Sequence, residues 1–72
     1  MSTTWSVDDV GHVAGEVWRF LSEHGRSSLS AVEKSVPAPA SMVHMALGWL
    51  AREGKILIEL DRRTIAISLA EG

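Results

Sequence analysis

Apolar residues recur at helical spacing in the first half of this 72-residue chain and alternate with polar ones near its end. Between Ser6 and Gly25, the residues Val10, Val13, Ala14, Val17 and Leu21 share one side of a helix, with Phe20 at its edge. Ser6 suits the N-cap, Asp8 and Asp9 suit the positive end of the helix dipole, and Gly25 is a natural stop. Arg26–Leu29 is a short connection with room for one strand-like pair. A second helix of about two turns begins within 28–31 and ends near Ser35. Ser30 and Glu33 fit a capping box, and Ser28 is an equally legitimate cap. Its inward residues are Leu29, Val32 and Val36. The segment Val36-Pro37-Ala38-Pro39 reads as a turn, with Pro39 suited to the first turn of a third helix.

That third helix spans about 39–53 and stops at Gly54. At ~100° per residue, Val43, Leu47, Leu50 and Ala51 share the inward arc. Met45 and Trp49 fall opposite Leu47, flanked by Ser41, Met42 and Arg52. Next, Ile56, Ile58 and Leu60 alternate with Leu57 and Glu59, while Ile65, Ile67 and Leu69 alternate with Thr64, Ala66 and Ser68. Pairing Leu60 with Ile65 and Ile58 with Ile67 puts all six aliphatics on one face and leaves 61–64 as a tight turn. The expected core joins Val10, Val13, Val17, Leu21, Val32, Val43, Leu47, Leu50, Ile58 and Ile67. Three helices followed by a two-stranded hairpin, with space for a third short strand before the second helix, make a single α+β domain. Its element order is that of a winged helix-turn-helix.

The run Leu47-Gly48-Trp49-Leu50-Ala51-Arg52-Glu53-Gly54-Lys55-Ile56 carries a resemblance, joined by Ala14–Trp18 and Ser28-Leu29-Ser30. It resembles the small stand-alone winged helix-turn-helix proteins of bacteria and archaea, a group filed as a domain of unknown function. The resemblance covers residues 6–69, and its more specific part is the run from Gly48 to Ile56. It implies the fold, a stand-alone chain and a DNA-binding or regulatory role. It supplies no catalytic residue and no ligand.

Composition narrows the function classes. Apolar residues at 46% and charged residues at 22% are globular values. Cysteine is absent, which removes disulfides and cysteine-based zinc sites and makes the cytoplasm the expected compartment. The first ten residues lack Lys, Arg and an apolar run, so no signal peptide is expected, and no stretch is long enough to span a membrane. Net charge is −2, which is not the footprint of a strong nucleic-acid binder. The acidic excess lies in residues 1–35, so the half that would touch DNA is neutral.

Candidate chemistry follows from these placements. His12, His24 and His44 are scattered, no pair of them has i, i+4 spacing, and no phosphate-binding loop is present. No catalytic residue, metal site, cofactor or small-molecule substrate is therefore expected. For double-stranded DNA, the candidates are Ser41, His44 and Arg52 on the third helix and Arg62 and Arg63 at the hairpin turn. The competing surface is apolar. Met42, Met45 and Trp49 point away from the inferred core, while Gly11 and Gly15 lie beside Trp18 on the first helix. The two glycines suggest close approach, either of Trp5 or a strand from the same chain, or of a partner. A homodimer or a protein partner would cover these residues. A third helix so covered could not also enter a major groove, so DNA binding and pure protein association compete for it.

Overall fold

The computed structural model describes residues 4–70, and the elements within them follow the expected order. They are α1 (Val7–His24), β1 (Ser27–Ser28), α2 (Leu29–Ser35), α3 (Ala40–Arg52), β2 (Ile56–Asp61) and β3 (Thr64–Leu69). Three helices and a three-stranded antiparallel sheet form an α+β winged helix. The sheet order is β1-β3-β2, so the last strand along the chain lies in the middle.

Local chemistry sets the boundaries. Asp9 donates its backbone N–H to the Ser6 hydroxyl at 3.2 Å, and its carboxylate accepts from the Ser6 N–H at 2.8 Å. This reciprocal box satisfies two donors that the first turn of α1 would otherwise leave unpaired. Gly25 closes the helix at a φ of 75°, donating to the Leu21 carbonyl at 2.8 Å. At the far end of α3, Lys55 donates to the Leu50 carbonyl and Gly54, at a φ of 72°, to that of Ala51. That pair of bonds is a Schellman stop, and it turns the chain directly into β2.

The second cap resolves in favour of Ser28. Its hydroxyl accepts from the Ala31 N–H at 3.1 Å. Ser27 and Ser28 are held extended beside Ile67 and Ala66 of β3, so α2 begins at Leu29. Ser30 then lies inside the first turn, and Glu33 turns to α3 instead of back to Ser30. Pro39 serves as the N-cap position of α3 rather than its first residue, its carbonyl accepting from Met42 and Val43.

The core gathers Val13, Ala14, Val17 and Leu21 of α1 with Val32, Val36, Val43, Leu47, Leu50 and Ile67, all buried. Two further residues enter it from α3, Met42 and Ala46, whereas Ala51 is exposed. The buried arc of α3 is thus turned by roughly 50° from the arc through Val43, Leu47, Leu50 and Ala51. The hairpin register is the expected one, with Leu60 opposite Ile65 and Ile58 opposite Ile67. The helices nevertheless cover only the base of that face. Ile56 takes the core position expected of Ile58, which is 48% exposed; Leu60 is 73% exposed and Val10 half-buried.

Candidate nucleic-acid interface

The rotation of α3 decides what the helix presents. Ser41, His44, Met45, Gly48 and Arg52 now form its exposed face, with Gly48 near the middle. Ser41 and Arg52 were placed on the flanks by the sequence pattern, and the structure brings both to the centre. The face is mostly small or polar, and Met45 is its one large apolar residue.

His44 is held from below. Its Nε2 meets the Glu33 carboxylate of α2, both side chains being partly exposed. The contact fixes the imidazole relative to the preceding helix and also brings a carboxylate to the edge of the exposed face of α3. Sequence spacing gave no sign of it, because Glu33 reads equally well as a partner of Ser30. Arg52 stands in the last turn of α3 and enters no ion pair among the described residues.

Arg62 and Arg63 occupy the two central positions of the hairpin turn closed by Asp61 and Thr64. Arg62 adopts a φ of 59°, which side chains other than glycine tolerate at a cost of about 1 kcal/mol. Both guanidinium groups are exposed and unpaired among the described residues. They project from the tip of the wing into solvent.

The apolar candidates separate into three environments. Met42 is 4% exposed and belongs to the core, so it offers nothing to a partner. Met45 is exposed and lies with the polar residues on the outward face of α3. Trp49 is half-buried beside α1, its ring 3.9 Å from where a Cβ on Gly11 would stand. Its cover therefore comes from α1 of the same chain. A Cβ at that distance is in ordinary contact, so Gly11 gives the tryptophan room without being required for it. Gly15 faces open space, and Trp18 beside it is 45% exposed. Gly11, Gly15, Trp18 and Trp49 line one groove of about 510 Å³ with Glu53 and Lys55 at its end. Among the described residues no group of three His, Asp or Glu side chains could hold a metal ion. No helix of the described residues is long and apolar enough to cross a membrane.

Comparison with known proteins gives concordant results. The model of the family described as Winged helix-turn-helix domain (DUF2582) matches residues 1–69. The uncharacterized protein MJ1608 of Methanocaldococcus jannaschii is 40% identical over 63 residues, covering 83% of this chain and 89% of that protein. The solution NMR structure of protein BT2368 from Bacteroides thetaiotaomicron superposes with a TM-score of 0.75 at 37% identity. That match covers 83% of this chain and 73% of the other.

Proposed function

Since the chain belongs to the Winged helix-turn-helix domain (DUF2582) family, we propose that it is a DNA-binding transcription regulator without catalytic activity, working in the cytoplasm as a homodimer. The observation that carries this reading is the phase of α3. Burial of Met42 and Ala46 leaves Ser41, His44, Gly48 and Arg52 outward, a face that a major groove can accept. The wing adds Arg62 and Arg63 as phosphate contacts that position the module without reading sequence. Few cations mean few released counterions, so one copy binds weakly and two copies bind through twice as many contacts.

A salt titration of binding to random duplex DNA tests the proposal. The parent protein is expected to bind at low salt, and replacing Arg62 and Arg63 together by Ala is expected to flatten the slope. The change should be about two phosphate contacts' worth, at roughly 0.9 per contact. No binding at low salt, or an unchanged slope, would overturn it. The exposed Trp18 and its groove favour a second reading, association with a protein partner without DNA. A Trp18→Glu variant that binds DNA as the parent does would count against that alternative.

A further inference from the structure

We propose that the free edge of β2 pairs antiparallel with β2 of a second copy about a two-fold axis through Ile58, joining two sheets into one of six strands. The pairing supplies a surface for the homodimer proposed above and rests on that part of the reading alone, not on DNA being bound.

Three observations on this strand converge. In the order β1-β3-β2, β2 is an outer strand, and among the described residues nothing pairs with its other side. It is also six residues long and apolar, with Leu57 53% exposed alongside Ile58 and Leu60. Edge strands of this kind are usually blunted by Lys, Pro or a bulge, and otherwise are templates for another chain. The stretch from Ile56 to Asp61 has none of these devices: its charges are Glu59 and Asp61, and its register with β3 is unbroken.

Hydrogen-bond phase comes next. Ala70 donates to the Lys55 carbonyl at 2.9 Å, which makes residues 55 and 70 a hydrogen-bonded pair of the hairpin. Antiparallel ladders alternate, so Leu57, Glu59 and Asp61 turn their backbone groups toward β3. Ile56, Ile58 and Leu60 therefore turn theirs outward. Two of the three, Ile58 and Leu60, also carry exposed aliphatic side chains, while Ile56 is anchored in the core, so one strand offers both a ladder and an apolar surface beside it.

Self-complementarity names the occupant. With Ile58 opposite Ile58 of the partner subunit, Ile56 meets the partner's Leu60 and Leu60 meets the partner's Ile56. On the other face Lys55 falls opposite the partner's Asp61, and the symmetry repeats that pair. Lys55 now rests loosely beside Glu53 at 3.6 Å in an exposed pair, and Asp61 has no ion pair among the described residues. Slipping the register by one residue would bring Glu59 opposite the partner's Ile58 and lose the match of faces.

Sedimentation without DNA tests the pairing. The parent is expected to run at twice its 7.8 kDa mass at about 100 µM. Ile58→Lys, which puts a charge on the axis at a partly exposed position, should weaken dimerisation about tenfold or more while leaving the fold intact. Asp61→Lys should weaken it about tenfold by setting like charges opposite each other twice, and adding Lys55→Asp should restore it to within about threefold. Amide exchange at Ile58 and Leu60 should slow as concentration rises, while Leu57 and Glu59 stay protected throughout. A monomeric parent, an Ile58→Lys variant as dimeric as the parent, or a charge swap that restores nothing would overturn the proposal. So would a dimer lost by Trp18→Glu and kept by Ile58→Lys, which moves the interface to the α1–α3 groove. Because no DNA is present, failure here leaves the salt titration standing, and the converse holds.

Discussion

Ile67 and Ile58 face one another across the hairpin, yet Ile67 is fully buried and Ile58 is about half exposed. The same holds for the regions they represent. In the helical base, the apolar stripes meet one another: α1 packs on α3, α1 and α2 cover β3, and α3 meets the start of β2. In the wing, Leu60 continues the alternation of Ile56 and Ile58 but extends past the last helix that could cover it. Periodicity specifies which face a residue lies on. Only the length of the neighbouring element specifies whether that face is covered.

The contrast can be broken at its strongest point first. Leu47→Ala, in the base, is expected to cost about 2–5 kcal/mol in denaturant unfolding, as a large-to-small change at a buried site. A loss below ~0.5 kcal/mol would place α3 in a different rotation. Smaller gains are expected on the open sides of the base. A methyl group added at Gly15 or Gly48 would meet nothing within 4 Å, so Ala at either should stabilise its helix by up to ~1 kcal/mol. If Gly48→Ala raises the melting temperature but weakens DNA binding, the centre of the reading face needs close approach. Equal binding would make Gly48 merely tolerated. The smallest effect belongs to the wing. Leu60→Ser should change the stability of the monomer by less than ~0.5 kcal/mol, since little apolar surface is buried there to lose. A cost comparable to that of Leu47→Ala would mean that something covers the wing even in the single chain.

The pairing and register of the hairpin were legible in the sequence because a period of two leaves a single choice of face and the turn at Arg62-Arg63 fixed the register, but which aliphatic would be covered was not. Nor was the phase of α3. Met42, Val43, Met45, Ala46, Leu47, Trp49, Leu50 and Ala51 surround most of that helix with apolar groups, and several arcs satisfy the pattern almost equally. Packing selects among them: Trp49 settles beside Gly11, and Met42 and Ala46 turn inward with it. Five positions proposed for DNA lay on exposed elements and stayed exposed, whereas of the six proposed for an interface Met42 was lost to the core. The Glu33–His44 contact bridges two helices, and nothing in local spacing distinguishes it from the capping box that Ser30 also offered.

The strand order has a kinetic side. β3 comes last along the chain but is central in the sheet, and it alone delivers Ile67 to the core. Before it arrives, α1, α2 and α3 can approach one another only around a vacancy, and Ser27 and Ser28 have no partner. Closing the pair Ser27–Ile67 requires bringing together segments far apart along the described chain, an entropic cost met before the contact rewards it. The helices are thus expected to gain lasting protection only in the step that seats β3. Pulled from its C-terminal end, the chain should give way at that strand first and lose its helical base in the same event.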